Sequence, residues 1–202
     1  AWQRKVRPAL RAAVGFNDLP PAALDPVCIE RVERPDHIRE KWLLRTWAGA
    51  LMPVYLLLPL AGRAPYPTVV AFHGHGYGAK DIVGLWETGE ERLAPDGYHK
   101  DFAVELVRRG FLVAAPEISC FGERTNDYAY LNQTIGQPVP YTCEHTARLA
   151  FHLGGTVIGL RAHDAMRLLD WLETRADVDM ARVGAMGISG GGMHTLYSSC
   201  LD

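Results

Sequence analysis

The hydrophobic and polar positions in the first part of the chain predict one helix followed by three strands. Residues 2–14 have helical periodicity and belong to a helical lead-in over residues 1–25. The strand-like runs are residues 27–33, 37–47 and 51–58. The turn Ala48-Gly49-Ala50 joins the last two runs as a hairpin. Because proline cannot donate to a strand ladder, Pro53 predicts that the third strand lies near a sheet edge or begins late.

Beyond Pro65, short apolar runs alternate with segments of helical periodicity. The apolar runs are residues 68–72, 111–115 and 182–188; the helical segments are 98–109, 144–175 in two pieces, and 190–201. Strands that are apolar throughout are buried on both faces, and their alternation with helices is typical of a parallel sheet covered by helices. We therefore predict a single α/β domain over residues 1–202, with a mostly parallel sheet, helices on both faces and an antiparallel N-terminal hairpin.

Composition is that of a water-soluble globular domain and excludes several classes of function. The 202 residues are 48 % hydrophobic and 22 % charged, with a formal net charge of -2, so nucleic acid and anionic membrane surfaces are poor partners. No apolar run approaches the roughly 20 residues of a membrane span. Residues 1–7 lack the apolar core of a signal peptide, and four dispersed cysteines without a CxxC pair favour reduced thiols and a cytoplasmic location. Because no Met begins the sequence, a secreted origin with its leader removed stays open.

A glycine-rich turn follows the third apolar run and precedes a helix. Its sequence, Gly187-Ile188-Ser189-Gly190-Gly191, fits the pattern G-x-S-x-G. Between a strand and a helix this pattern is typical of a nucleophile elbow, whose sharp turn demands small residues on either side of the serine. We predict Ser189 as the nucleophile, Gly187 and Gly191 as the elbow glycines, and the N–H of Gly190 as an oxyanion donor. The alternative is a turn that only lets the helix pack on the strand. A dinucleotide loop does not fit the spacing.

A second glycine-rich turn, His73-Gly74-His75-Gly76, follows the first apolar run. Ligands of open α/β sheets bind at the carboxyl ends of the strands, where both turns are expected. We predict the N–H of His75 as the second oxyanion donor, with Gly76 and Tyr77 as fallbacks, and the ring of His73 as a structural support of the loop. A metal pair of His73 and His75 would need a third ligand that the sequence does not offer, so no metal is predicted.

Residues 118–142 form a long irregular segment that we expect to rise over the active-site edge. Its aromatic and amide side chains, which suit a sugar or a small aromatic ester, include Phe121, Asn126, Tyr128, Tyr130, Asn132 and Tyr141. An ordinary packed surface loop is the alternative.

The stretch from Thr68 to Asp202 resembles the α/β-hydrolase superfamily, in the branch of dienelactone hydrolase-like and acetyl xylan esterase-like proteins. The matching stretches are residues 71–76, residues 115–117 with 121–124, and residues 187–193. The resemblance implies hydrolysis of small carboxylic esters, sometimes of acetylated sugars, without metal or cofactor. Dienelactone hydrolases proper use cysteine, so Ser189 places the chain with the serine esterases.

The chain departs from the family pattern after the nucleophile. In this fold the acid and the histidine follow the nucleophile, yet only 13 residues follow Ser189. We therefore expect both groups, and the last strands of the sheet, to lie beyond residue 202, in a further segment or a homo-oligomer partner. The histidines present are weak substitutes: His194 points away from Ser189, His145, His152 and His163 lie on covering helices, and His37 and His99 lie at the surface. We interpret Asp81 and Asp179 as turn or capping residues.

The predicted function is that of a serine esterase acting on a small-molecule ester. Ser189 attacks the carbonyl to form an acyl-enzyme, the N–H groups of Gly190 and His75 hold the oxyanion, and a histidine outside this chain accepts the proton. One alternative is a serine peptidase of the prolyl oligopeptidase kind, which usually carries a long N-terminal domain. The other is a non-catalytic binding protein, against which the two intact turns argue. By itself the chain is expected to be an inactive fragment.

Overall fold

A computed structural model describes residues 2–15, 19–128 and 142–202. The helices are α1 (Trp2–Ala13), α2 (Phe102–Arg108), α3 (Thr142–His152), α4 (Val157–Glu173) and α5 (Gly190–Leu201). The strands are β1 (Val27–Glu33), β2 (His37–Trp47), β3 (Ala50–Pro59), β4 (Tyr66–Phe72), β5 (Leu112–Pro116) and β6 (Val178–Gly187). Much of the predicted active-site segment, with Tyr130, Asn132 and Tyr141, lies outside the described residues.

The six strands form one sheet in the order β1-β2-β3-β5-β4-β6. The first three strands and β5 pair antiparallel, whereas β4 runs parallel to both β5 and β6. The predicted α/β class, with a hairpin at one side and parallel strands at the other, is confirmed. The order places β4 and β6 next to each other although most of the domain separates them in sequence.

Both faces of the sheet are covered because its central strands are apolar on both sides. On one face Val70 and Phe72 of β4 pack with Leu168 and Leu172 of α4. On the other face Ala71, one position between them, belongs to the cluster that contains Ala103 and Val107 of α2. Side chains of a strand alternate between faces, so a continuous apolar run is what two covered faces require.

The strand β6 is an open edge in the described part of the chain, where it pairs with β4 alone. The edge and the adjoining helix α5 expose large apolar side chains: Met180, Met186, Ile188, Met193 and Leu196. A groove of about 480 Å³ runs between β6, α4 and α5. This side of the sheet therefore exposes a group of neighbouring apolar side chains in the described part of the chain.

The prediction from Pro53 was wrong, since β3 is an interior strand and begins before Pro53. The carbonyl oxygen of Pro53 accepts a hydrogen bond from the N–H of Glu117 (2.8 Å), just past the end of β5. The nitrogen and the carbonyl of one strand residue face the same neighbour. The missing N–H of Pro53 therefore faces the carbonyl oxygen of Glu117, past the end of β5, and that oxygen accepts from Nη1 of Arg124 instead (3.2 Å).

The helix predicted over residues 98–109 begins only at Phe102. Lys100 and Asp101 both have φ near +50°, which a right-handed helix cannot continue through. Tyr98 and His99 are thereby freed from the helix and turn toward the glycine-rich loop after β4.

Candidate active site

The parallel pairing of β4 with β6 brings the two glycine-rich turns to one edge of the sheet. Phe72 pairs with Gly187, so His73 and Ile188 leave the sheet side by side. A Cβ atom on Gly74 would lie 2.7 Å from the carbonyl oxygen of Ile188. The loop after β4 therefore touches the backbone of the Ser189 turn, as the sequence predicts.

Ser189 occupies a sharp turn between β6 and α5, with φ 54° and ψ −118°. A Cβ on Gly187 would lie 2.3 Å from the carbonyl oxygen of Gly191, and one on Gly191 would lie 2.1 Å from that of Phe72. No side chain fits at either glycine, because both contacts are with backbone. The turn leaves Ser189 exposed at the N-terminal end of α5, where helix N–H groups favour negative charge.

His75 lies beside the first turn of α5. A Cβ on Gly190 would be 3.6 Å from Nδ1 of the His75 ring, which is exposed and meets the edge of Phe121 at 5.1 Å between centroids. Within the described ranges, neither the N–H of His75 nor that of Gly190 donates a hydrogen bond. The His75 ring and the first residue of α5 are therefore neighbours, and both predicted donor N–H groups are without a hydrogen-bond acceptor among the described residues.

His73 is fully buried beneath the loop and supports it. Its Nδ1 donates to the carbonyl oxygen of Gly74 (2.8 Å), and its Nε2 lies 3.1 Å from the N–H of Ile118. Oε1 of Glu117 lies 3.0 Å from the same Nε2 and accepts from the N–H of Ala79 (3.0 Å). The ring is structural, and it links the loops after β4 and β5.

Glu117 was missed by sequence reasoning. Its carboxylate is almost fully buried, and the backbones of Gly78 and Gly122 approach it so closely that a Cβ on either would lie within 2.4 Å of a carboxylate oxygen. The sequence carries one signal for Glu117, a charged residue directly after a strand that is apolar throughout. Because charged residues are rarely buried unless they are paired, a carboxylate at that position indicates a buried partner.

The residues after Glu117 are held against α4. Nη1 of Arg124 donates to the carbonyl oxygen of Glu117 (3.2 Å) and to Oδ2 of Asp164 (2.6 Å). Phe121 meets the edges of both loop histidines, whereas Asn126 and Tyr128 contact Thr146 of α3. Of the described residues proposed for substrate contact in this segment, Phe121 alone lies against His75.

His99 and Asp81 correct the sequence interpretation. His99 was expected at the surface but is 3 % exposed, and its Nε2 accepts from the N–H of Gly74 (2.7 Å). Its Nδ1 donates to Oδ2 of Asp81 (2.7 Å), which is itself buried. Burial lowers the pKa of His99, and the Asp81 carboxylate acts in the opposite direction. Asp81 lies in a turn as expected, but its side chain serves the loop after β4.

His37 was also expected at the surface and is buried at the start of β2, where Nδ1 contacts Oδ1 of Asp36 (2.6 Å). His194 is buried on the far side of α5, stacks on Phe72 and donates from Nε2 to the carbonyl oxygen of Arg161 (2.7 Å). Its burial lowers its pKa to about 3. In the described part of the chain, no histidine forms a hydrogen bond with Ser189.

The described residues show neither a metal-binding cluster nor a membrane-spanning helix. They contain no group of three or more His, Cys, Asp or Glu side chains placed to hold a metal ion. None of their helices combines the length and apolar character of a membrane span.

Comparisons with known proteins identify a matching family and a sequence relative. The sequence profile of the Abhydrolase family matches residues 1–201. The protein named "Putative hydrolase YtaP" of Bacillus subtilis (strain 168) is 28 % identical over 193 residues, which are 93 % of this chain and 57 % of that protein.

Solved structures share the fold. A putative acetyl xylan esterase from Bacteroides fragilis NCTC 9343 superposes with a TM-score of 0.79 at 24 % identity, over 100 % of this chain and 50 % of that one. Acetyl xylan esterase 1 from Thermoanaerobacterium sp. JW/SL YS485 does so with a TM-score of 0.60 at 17 % identity, over 98 % and 54 % of the two chains. The chain spans about half the length of the relatives that it matches. The sheet of parallel and antiparallel strands with its helices matches the fold of these relatives, and the family profile covers nearly every residue: the chain belongs to the Abhydrolase family, within the α/β-hydrolase superfamily.

Proposed function

We propose that this protein hydrolyses small carboxylic esters through an acyl-enzyme on Ser189. The observation that supports this most directly is the exposed Ser189 on a positive-φ turn, followed by Gly190, which His75 approaches; among the described residues neither the N–H of Gly190 nor that of His75 donates a hydrogen bond. A non-glycine residue in that backbone conformation is costly and is retained mainly where function demands it.

In the proposed reaction Ser189 Oγ attacks the ester carbonyl and the two N–H groups bind the oxyanion. Collapse of that intermediate expels the alcohol and leaves the acyl-enzyme, which water then hydrolyses. We place the histidine that accepts the serine proton, and its acidic partner, outside the described residues, because no described histidine bonds to Ser189. The open edge of β6 is where further strands carrying these groups would pair.

The acyl group in this proposal is small, with acetyl as the first choice. The two structural relatives compared above are named as acetyl xylan esterases. The rim around Ser189 carries the His75 and Tyr98 side chains together with Phe121, and such rings can stack on a sugar. A carbohydrate acetate is therefore the proposed substrate class.

The test combines turnover with labelling on the full-length protein. Hydrolysis of p-nitrophenyl acetate is measured before and after treatment with a fluorophosphonate, and the modified residue is located by peptide mass spectrometry. Turnover abolished by labelling at Ser189, and its loss by about 10⁴-fold or more in Ser189→Ala, is expected. Ser199→Ala, an exposed serine on the same helix, is the matched control and should keep full activity.

Other outcomes decide against the proposal. Labelling without ester turnover but with cleavage of peptide anilides would favour a serine peptidase. Neither labelling nor turnover would favour a binding protein. Longer acyl chains that react faster than acetate would exclude the acetyl preference.

A further inference from the structure

We propose that Asp81 and His99 form a buried positioning pair that fixes the oxyanion loop, residues 73–76, through the N–H of Gly74. The inference rests on the proposed esterase function and deepens it. Neither residue needs to touch the substrate. Their effect on the reaction would pass through the backbone of Gly74 to the adjacent N–H of His75.

The hydrogen bonds around His99 allow one protonation state. The N–H of Gly74 can only donate, so Nε2 of His99 (2.7 Å away) must be unprotonated. The proton of the neutral ring is then on Nδ1, which donates to Oδ2 of Asp81 (2.7 Å). The Asp81 carboxylate therefore selects the tautomer whose Nε2 can accept from the N–H of Gly74. In catalytic and metal-bound histidines, the hydrogen bond of one ring nitrogen fixes the tautomer in the same way.

The residue before His99 holds a second peptide of the loop, the one between His75 and Gly76. The hydroxyl of Tyr98 donates to the carbonyl oxygen of His75 (2.6 Å), and its ring lies against that of His99, tilted by 33° at 3.9 Å between centroids. The N–H of His75 thus lies between two anchored groups, the N–H of Gly74 and the carbonyl of His75. A Cβ on Gly74 would lie 2.3 Å from the Tyr98 hydroxyl oxygen, so the close grip depends on glycine there.

The buried side chain of Arg92 fixes the position of Asp81. Arg92, almost fully buried, donates to the carbonyl oxygen of Asp81 (2.7 Å) and pairs with its Oδ1 (3.3 Å) and with Asp101 (2.6 Å). The guanidinium also lies 5.3 Å from the centre of the Trp86 ring. The charged groups that face His99 are therefore Asp81 and Arg92, with the His73 ring nearby, and their arrangement leaves His99 little freedom.

The pair has the composition of a catalytic Asp–His dyad but not its placement. Nε2 of a general base must reach the serine hydroxyl, whereas Nε2 of His99 is occupied by a backbone N–H. This difference is testable, because glutamine in place of histidine retains an oxygen acceptor near the Nε2 position but cannot carry a proton in catalysis.

The experiment compares His99→Gln with His99→Phe in the full-length protein, using p-nitrophenyl acetate. His99→Phe removes the acceptor, and we expect kcat to fall about 100-fold, as when one oxyanion donor is lost, with KM changed less than about threefold. His99→Gln should restore kcat to within about fivefold of the original protein, with its pH profile unshifted. His152→Gln, on the exposed side of α3, is the control and should match the unmodified protein.

A second measurement follows the hydrogen bond itself. Amide hydrogen exchange at Gly74 should be slow in the unmodified protein and in His99→Gln, and faster in a His99→Phe protein whose circular dichroism is unchanged. Equal kcat in all three proteins, or a His99→Gln as inactive as His99→Phe while Gly74 stays protected, would overturn the proposal. If the unmodified protein shows neither turnover nor labelling at Ser189, the esterase proposal fails. Unchanged Gly74 exchange in His99→Phe then overturns the positioning pair as well, and faster exchange limits it to holding the loop.

Discussion

The turns after β4 and β6 lie side by side but are built in opposite ways. The loop after β4 is held by buried polar side chains, with His73 and Glu117 on one side and His99 and Asp81 on the other. The Ser189 turn is held by the absence of side chains, since Gly187 and Gly191 pack directly on backbone. One half of the candidate site therefore depends on hydrogen bonds and protonation, and the other on close packing.

Removing a polar support of the β4 side is expected to have the largest effect. Glu117→Ala leaves the buried N–H of Ala79 without its acceptor and empties the space between Gly78 and Gly122, and should lower the free energy of unfolding by about 3–5 kcal/mol. Urea denaturation of the 202-residue chain measures it. Glu117→Gln, which retains an oxygen acceptor, should lose less than half as much. An equal loss in both variants would mean that the carboxylate charge matters more than its hydrogen bonds.

Filling the packed side should cost somewhat less. Gly191→Ala forces a Cβ against the carbonyl oxygens of Phe72 and His73, and we expect a loss of about 2–3 kcal/mol in unfolding free energy. Gly192→Ala, one residue along the same helix, meets nothing closer than 3.5 Å and should be neutral or stabilising by up to about 1 kcal/mol. Similar results for the two variants would contradict the packing argument for this turn.

The β6 side is also expected to respond to acid, because the imidazole of His194 is buried there. Equal sensitivity of the two sides to protonation would remove the contrast drawn above. The pKa of His194 is lowered from 6.5 to about 3 by burial. Below pH 6.5 the unfolded chain binds a proton that the folded chain does not, so stability falls as the pH falls from 6.5 toward 3. At pH 5 this one group removes about 2 kcal/mol relative to pH 7.5. His194→Gln, which keeps a donor for the Arg161 carbonyl, should flatten the measured pH dependence by about that amount, and His152→Gln should not.

The smallest effect is expected at the open edge. Met186→Gln on β6 changes a side chain that is 47 % exposed, so the stability of the 202-residue chain should move by less than about 0.5 kcal/mol. The same substitution measured in the full-length protein sharpens the result. A loss there of about 2 kcal/mol or more would show that further structure covers β6.

The packed side could be predicted from sequence, whereas the polar side was predicted only as far as the supporting role of the His73 ring. Gly187, Ser189 and Gly191 carry their geometry in their spacing, because a sharp strand-to-helix turn is a local property of the backbone. His99 lies 25 residues from Gly74 and 18 from Asp81 in sequence. No periodicity or motif links the three residues. The local sequence pattern therefore predicted the Ser189 turn correctly. It placed His99 at the surface, where a histidine in a polar segment ordinarily lies.

The fold class was predicted from the runs of apolar residues. The errors arose where the conformation of one element depends on a neighbouring element. Pro53 seemed to require an edge strand, yet β5 ends where its missing N–H points. The start of α2 was displaced because Lys100 and Asp101 take left-handed conformations that release Tyr98 and His99 toward the loop. Both facts depend on tertiary neighbours that the sequence alone does not name.

The pairing of β4 with β6 also sets an order of events during folding. The hairpin of β2 and β3 closes between Trp47 and Ala50, whereas the β4–β6 ladder must join Thr68 with Val183. Contacts between distant segments carry a larger loop-closure entropy and form later than local ones. On the ribosome, residues 73–76 leave the exit tunnel long before the strand that will lie beside them, so the two halves of the site meet only once nearly all of this chain has been synthesised.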